Sequence, residues 1–228
     1  MLHTFWSAKG GSGVTVTVAA YSAWLARRDG PTTVVDLCGD QPAALGLASH
    51  RGEGWTDWLA APEGGRAALD RLVVPVDERL SLLPVGTGRP GPAERIADLV
   101  AALASRPRVV VDAGVPTSIP AGAGSHSSGR LPPGADEPFL AFTEAGRSTM
   151  VVRPCYLALR RAMAVRFHID DLVVLTEPDR ALSPRDVAEV LGSELAAVLA
   201  IEPRIARSVD AGTLVRRRHA EVDAAWAA

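Results

Sequence analysis

Short and long apolar segments alternate along this chain. The short runs predict buried strands at 2–7, 32–36, 80–85, 108–112, 149–152 and 171–176. Longer apolar or amphipathic segments between them predict helices over 16–28, 92–105 and 156–167. Strands that alternate with helices predict an α/β fold, in which a doubly wound, mostly parallel sheet carries helices on both faces.

The same pattern predicts one domain over residues 1–228, a length at which a single α/β domain buries a substantial core. The segment 114–138 interrupts the alternation. It is rich in glycine, proline and serine, a composition typical of a flexible surface loop inserted into a domain.

Composition narrows the class of protein. Apolar residues make up 47% of the chain and charged residues 22%, which is typical of a globular protein. The net charge of −2 gives no general attraction to nucleic acid or anionic lipid. The cysteines Cys38 and Cys155 lie far apart and fit a reducing compartment. The longest uncharged run, 10–26, is slightly short of a membrane span, and no signal peptide is visible, so we expect a soluble, cytoplasmic protein.

The segment AKGGSGVTVT (8–17) has the composition of a phosphate-binding loop. It follows a predicted strand and opens a predicted helix, so backbone N–H groups and the helix N-terminus converge where an anion would bind. Thr15 carries a hydroxyl at the place where a P-loop holds Mg²⁺. Val14 stands where a P-loop carries its lysine.

Lys9 is the only lysine in the chain, since arginines make up the rest of the 24 basic Lys and Arg residues. A lysine retained beside the glycine turn indicates a site that needs a compact ammonium group. The alternative is that this single lysine falls there by chance.

Residues 9–15, KGGSGVT, resemble the deviant Walker A motif of the ParA/MinD superfamily, KGGxGK[ST]. Four later segments resemble family regions in the expected order. They are VVDLCGDQPAALGL (34–47, switch I), VVVDAG (109–114, Walker B), RPCYLALRRA (153–162, after the next strand) and IEPRIARSVDAGTL (201–214, near the base). The degraded loop and segment 153–162 are most similar to actinobacterial CpaE/TadZ-like and septum-site-determining proteins.

The resemblance implies binding of ATP or ADP with Mg²⁺. It assigns metal binding to Thr15 and Asp112, and catalytic roles to Lys9, Asp36 and Asp40. It assigns cofactor binding to Lys9, Gly10, Gly11, Ser12, Gly13, Val14, Thr15, Val16, Pro203 and Arg204. In the family, the early lysine reaches the phosphates held by the other subunit of a dimer. As alternatives, Asp36 and Asp112 are ordinary carboxylates at strand ends, and Thr15 is only a helix cap.

The departures from the motif predict weak chemistry. Val14 removes a charge-assisted hydrogen bond worth roughly 1.5–3 kcal/mol. Cys38 stands where the family has a second switch aspartate, for which Asp40 is a possible substitute. Because phosphoryl transfer depends on charge stabilisation and water positioning, we expect very slow hydrolysis or none. Thr176 stands where relatives carry an adenine-reading asparagine, which leaves the base open.

The resemblance implies a homodimeric positioning protein. We expect it to act with a partner from pilus assembly, division or segregation machinery, and to be recruited to a pole, septum or membrane periphery. The alternatives are an active ParA-type ATPase that partitions DNA, and a scaffold that binds no nucleotide. The basic run Arg216–Arg218 and the terminal segment 214–228 are the candidates for DNA or lipid contact, although a solvated terminal helix fits their thin apolar face better.

Overall fold

The computed structural model describes residues 1–48, 50–62, 64–88, 93–116 and 136–227. These residues form an eight-stranded sheet in the order β3-β4-β2-β5-β1-β6-β7-β8. The strands are β1 (Leu2–Trp6), β2 (Thr32–Asp36), β3 (Val74–Pro75), β4 (Leu80–Leu83), β5 (Val109–Gly114), β6 (Arg147–Val152), β7 (Asp171–Thr176) and β8 (Glu194–Ala200). The edge strand β3 pairs antiparallel with β4, and the other neighbouring strands are parallel.

Helices cover both faces of the sheet. They are α1 (Val14–Asp29), α2 (Gln41–Ala44), α3 (Trp55–Ala60), α4 (Arg66–Arg71), α5 (Ile96–Ala104), α6 (Glu137–Ala145), α7 (Tyr156–Ala162), α8 (Pro184–Leu191), α9 (Pro203–Asp210) and α10 (Ala220–Ala227). Helices α1, α2, α9 and α10 pack on one face, and α3 to α8 pack on the other. The predicted fold class, a doubly wound α/β sheet, is confirmed.

Most predicted elements lie where the pattern placed them, with shifted ends. Helix α1 begins at Val14, two residues earlier than predicted, because Gly13 adopts a left-handed conformation that starts it. Helix α7 ends at Ala162, well before residue 167. The chain turns there and packs the Phe167 ring against Trp6 and Phe139 at centroid distances of 5.9 and 5.0 Å.

The predicted loop 114–138 is shorter at both ends. Gly114 still belongs to β5, and α6 begins at Glu137, with Pro138 in its first turn, where proline is favoured. Residues 117–135, the greater part of the predicted insertion, lie outside the described residues.

The sheet topology determines where a ligand site can form. Strand β1 lies at its centre between β5 and β6, so the chain winds outward from β1 in both directions. Ligands in such sheets bind at the carboxyl ends of the strands on either side of this switch point. Here those ends carry the glycine loop after β1, Asp36 as the last residue of β2, and Asp112 within β5.

None of the helices in the described ranges has both the length and the apolar character needed to cross a membrane. The terminal segment turns its apolar side chains inward. Leu214, Val215 and Val222 are buried, and the Trp226 ring lies 4.5 Å from that of Tyr21 on α1. The thin apolar face expected on a solvated terminal helix is therefore part of the core.

Candidate functional site

The glycine loop between β1 and α1 has a backbone that side chains would distort. Gly11 and Gly13 have φ angles of +75° and +91°, a region that residues with a Cβ rarely adopt. A Cβ on Gly13 would also lie 2.5 Å from Cδ1 of Leu175 on β7. The buried Ser12 closes the loop by donating from Oγ to the carbonyl oxygen of Lys9 at 2.7 Å. The loop therefore places its backbone next to the end of β7.

Helix α1 presents its N-terminus to this loop. The first backbone N–H groups of a helix have no acceptor within the helix, and they attract anions. The Val14 side chain, 7% exposed, points away into the core with Phe5 and Val18. Of the predicted binding residues, Val14 can therefore offer a ligand only its backbone amide.

Lys9 is directed outward. Its Nζ donates to the carbonyl oxygen of the adjacent Gly10 at 3.1 Å in an exposed position. Gly10 is exposed, and a Cβ there would meet no atom within 4 Å. The ammonium group therefore lies at the rim of the loop, accessible from outside the subunit.

Asp36 holds the turn after β2. Its Oδ1 accepts from the amides of Cys38 (3.0 Å) and Gly39 (2.8 Å), and its Oδ2 accepts from the amide of Gln41 (3.1 Å). Burial raises the pKa of Asp36 to about 6, and the neighbouring Asp112 carboxylate adds to the rise, while the backbone amides oppose it. Through these three bonds Asp36 holds the turn from Cys38 to Gln41 in place.

Asp112 and Thr15 meet across the sheet end. The Thr15 hydroxyl is close enough to the fully buried Asp112 carboxylate to lower its pKa, but burial is the larger effect and raises that pKa. Gln41, also fully buried, donates from Nε2 to Asp112 Oδ2 at 2.9 Å and to the Thr15 carbonyl oxygen at 3.0 Å. The sequence analysis missed Gln41, whose only signal is its place directly after the switch carboxylates.

A hydroxyl beside one carboxylate fits Mg²⁺, which proteins often hold through one or two carboxylates together with substrate phosphates. No group of three or more His, Cys, Asp or Glu side chains in the described ranges is arranged to hold a metal without such help. Thr15 and Asp112 would thus hold Mg²⁺ together with a bound nucleotide, and the ion would neutralise phosphate charge.

Cys38 and its possible substitute Asp40 follow Asp36 in the same turn. Partial burial of the Cys38 sulfur raises the pKa of the thiol, and the negative charges of Asp112, Asp36 and Asp40 raise it further. The thiol is therefore protonated at neutral pH. Asp40 is exposed at the start of α2, near enough for its charge to raise the pKa of Asp112.

A cavity of about 290 Å³ opens beside the loop. It lies between α1, the ends of β7 and β8, α9 and α10, and its walls are mostly apolar. The loop-side lining includes Gly13, Val16 and Thr17, and the opposite side includes Ile201, Glu202 and Ile205. Its volume is near the lower end for small-molecule sites, about 300–1,000 Å³.

The two predicted residues of the late loop lie beside this cavity. Pro203 and Arg204 are exposed at the start of α9, between the lining residues Glu202 and Ile205. Arg204 pairs through Nε with Glu221 at 2.8 Å. Thr176 uses its hydroxyl to donate to the Leu199 carbonyl oxygen at 3.3 Å. Val16, by contrast, lines the cavity as a binding residue would.

Comparison with solved structures identifies proteins that have the same fold. No family model and no curated protein sequence matches the chain. The chain is similar to a ParA family ATPase from Chlorobium tepidum TLS (TM-score 0.71, 18% identity, covering 94% of this chain and 90% of that one). It is similar to the septum site-determining protein MinD of Pyrococcus horikoshii OT3, solved with Mg-ADP (0.72, 17%, 99% and 93%). It is also similar to a chain of the MinC:MinD cell division complex of Aquifex aeolicus (0.71, 18%, 94% and 87%). The chain therefore has the fold of the ParA/MinD ATPases.

Proposed function

We propose that this chain is an atypical nucleotide-binding protein of the ParA/MinD type, which binds ATP or ADP with Mg²⁺. The observation that carries the proposal is the contiguity of three parts. The glycine loop with the α1 N-terminus would hold phosphate, Thr15 and Asp112 would hold the metal, and the cavity beginning at Gly13 would hold the nucleoside.

Hydrolysis in this site would be slow or absent. The loop directs no cationic side chain inward, since Val14 is buried in the core and Lys9 faces outward. The thiol of Cys38 is neutral, and the oxygens of Asp36 are engaged by backbone amides. Asp40 alone among the switch carboxylates is exposed, which leaves it as the residue able to orient a water molecule.

The outward Lys9 supports action as a homodimer. An exposed ammonium at the loop rim is placed to meet the phosphates of a second copy, as the family motif implies. Nucleotide-linked dimerisation would then serve a positioning role in Tad/Flp pilus assembly or division-site placement. The relatives named above include a septum site-determining protein and a MinC:MinD complex. The protein would work in the cytoplasm and be recruited by its partner to a pole, septum or membrane periphery.

The terminal residues give little support to DNA or membrane binding. Arg216, Arg217 and Arg218 are exposed, but Arg218 lies 3.6 Å from Asp223, which also pairs with Arg27 at 3.0 Å. The buried apolar residues of this segment leave no wide apolar face for lipid. An active DNA-partitioning ATPase is therefore the weaker candidate.

Calorimetry with Mg-ATP, Mg-ADP and metal-free ATP tests the proposal, together with light scattering for mass. We expect Mg-dependent binding, a dimer with ATP, and phosphate release little above the rate measured without the protein. Lys9→Ala should keep binding but lose the ATP-dependent dimer, whereas Arg28→Ala, on the far end of α1, should change neither. Absence of any binding would establish the scaffold alternative, and rapid turnover with DNA retention on gels would establish the partitioning ATPase.

A further inference from the structure

The glycine loop leaves a bound phosphate without a charged partner from its own subunit. Within the described loop, the Val14 side chain is buried in the core, and Lys9 Nζ is bonded to the Gly10 carbonyl oxygen at the outer rim. Backbone N–H groups supply only partial positive charge. A triphosphate carries several full negative charges, so a cation from elsewhere in the same chain would strengthen its binding.

Arg153 lies where such a cation is needed. It directly follows β6, which pairs with β1 in the sheet, so its backbone is next to the strand that leads into the loop. Its side chain lines the same cavity as Gly13. Among the 23 arginines of the chain, it is the one that the cavity lining includes within the described residues.

The guanidinium of Arg153 is held in place but incompletely used. Nη1 donates to Glu177 Oε1 at 3.0 Å, and the side chain is 34% exposed. Nε is buried and has no hydrogen-bond partner in the described part of the chain. Buried donors are almost always satisfied, so this unpaired N–H shows that the protein does not use the full hydrogen-bonding capacity of the guanidinium, part of which is exposed.

Arg180 provides a matched comparison, because it pairs with the same carboxylate. Its Nε donates to Glu177 Oε2 at 2.7 Å, yet it does not line the cavity, and its side chain is more exposed at 44%. Glu177 therefore holds one arginine at the cavity and one at the surface. If the ion pairs with Glu177 served only the fold, replacing Arg153 or Arg180 would have the same effect on the binding of a ligand.

We propose that Arg153 supplies the countercharge that the loop lacks at Val14, by binding a phosphate of the nucleotide held at residues 10–16. This inference rests on the proposed nucleotide binding. Arginine suits the task because its planar fork keeps free donors while one nitrogen remains paired with Glu177. Arg153 is thus a binding residue for phosphate, and Glu177 is its positioning residue.

Affinities for Mg-ATP, Mg-ADP, adenosine and tripolyphosphate, measured by competition against a fluorescent ATP analogue, test this role. Arg153→Ala should weaken Mg-ATP about 10- to 100-fold, the range expected for one charge-assisted hydrogen bond. It should change adenosine less than about 2-fold. Tripolyphosphate should lose affinity as ATP does, and Arg153→Lys should recover part of it. Arg180→Ala should match the wild type for every ligand.

The outcomes separate this inference from the proposal beneath it. If the wild type binds none of the ligands, nucleotide binding itself is wrong. If the wild type binds ATP and Arg153→Ala loses ATP and adenosine equally, or neither, the phosphate role of Arg153 is wrong.

Glu177→Gln is a second test for the case in which Arg153→Ala does not fold. It keeps the arginine but weakens the ion pair that positions it. We expect it to shift Mg-ATP affinity while leaving adenosine unchanged. A Glu177→Gln protein that changes in thermal stability alone would show that the pair only supports the fold.

Discussion

Two buried polar clusters lie at opposite ends of the same sheet, and they differ in how fully their atoms are paired. The amino-end cluster consists of the buried residues His3, Thr149 and Asp171 together with Arg147, which is exposed. The carboxyl-end cluster consists of Thr15, Asp36, Gln41 and Asp112. The amino-end cluster is made of strand residues and the carboxyl-end cluster of strand and helix-start residues, and both contain fully buried side chains.

The amino-end cluster is satisfied. The Thr149 hydroxyl donates its single proton to Asp171 Oδ1 at 2.5 Å. Because the hydroxyl has no second proton, His3 Nε2, which lies 2.6 Å from Thr149 Oγ1, donates to it. The other ring nitrogen of His3 lies 3.3 Å from the Tyr21 hydroxyl, and Arg147 pairs with Asp171. Burial, with the Arg147 charge, lowers the pKa of His3 to about 3, so the ring is neutral.

The carboxyl-end cluster is not satisfied. Gln41 Oε1 is buried without a hydrogen-bond partner in the described residues, and burial raises the pKa of both Asp36 and Asp112. Unpaired buried acceptors and carboxylates with raised pKa values occur often, although not exclusively, at functional sites. The two clusters show that burial alone does not decide how fully polar atoms are paired, and the incompletely paired cluster is the one beside the glycine loop.

The largest difference should appear on acidification. His3 binds a proton in the unfolded chain near its ordinary pKa of 6.5 but only near 3 when folded, so folding stability falls as the pH drops between these values. Between pH 6 and pH 4 the loss should be about 2.5 kcal/mol. His3→Gln should remove it in urea titrations at several pH values, and His50→Gln, outside the cluster, should not. Equal slopes for wild type and His3→Gln would contradict a buried neutral ring.

Asp36 should change the pH dependence of folding stability in the direction opposite to His3. Its folded pKa of about 6 exceeds its ordinary value of 3.8, so the folded state binds the proton first and gains stability as the pH falls through this window. The gain between pH 6 and pH 4 should be about 2 kcal/mol. Asp36→Asn should abolish it while lowering stability at all pH values, and the exposed Glu189→Gln should leave the profile unchanged. A wild-type profile identical in shape to that of Asp36→Asn would contradict the prediction.

Thr149→Val should break the satisfied cluster. The substitution keeps the shape of the side chain but removes the hydroxyl, and Asp171 and His3 lose their shared partner. We expect a loss of about 1.5 kcal/mol in the free energy of unfolding. Thr143→Val is the control, because that buried hydroxyl donates only to the Phe139 and Leu140 carbonyl oxygens of its own helix. If both variants lose the same amount, the network adds nothing beyond a local bond.

Gln41→Leu should have the smallest effect on stability, about 1 kcal/mol. It removes two donated bonds but also removes the unpaired Oε1, so the two consequences partly offset each other. Thermal unfolding with and without Mg-ADP measures both stability and ligand effect. A loss larger than that of Thr149→Val would mean that the carboxyl-end cluster is as fully paired as the amino-end cluster.

The sequence predicted the strands best where apolar runs end at clear breakers. Strands β2 and β7 match the predicted ranges 32–36 and 171–176 residue for residue. It missed β8, because ELAAVLA is rich in alanine, which is depleted in strands, and pairing with β7 decides its conformation. Local sequence carries no record of that tertiary contact.

The residues of the candidate site also fall into those that the sequence indicated and those that it did not. The loop 9–15, Asp36 and Asp112 stand in local motifs, so the sequence indicated them, and the structure places them at one end of the sheet. Gln41 and Arg153 act through residues far away along the chain, at Asp112 and Glu177. Their partners become visible only when the strands are assembled. The roles of all these residues in binding stay predictions.

The inward side chain of Val14 has one more consequence. A lysine there would have its charge stabilised by an incoming phosphate, and the start of α1 would depend on the ligand. A valine anchored beside Phe5 and Val18 fixes that helix start by packing alone. The glycine loop and the start of α1 would thus be ordered before a ligand binds. Little of the ligand's binding free energy would then be spent on ordering them. Nucleotide binding would then change the shape of the loop little. It would act mainly by changing which partner can bind to the surface around the occupied site.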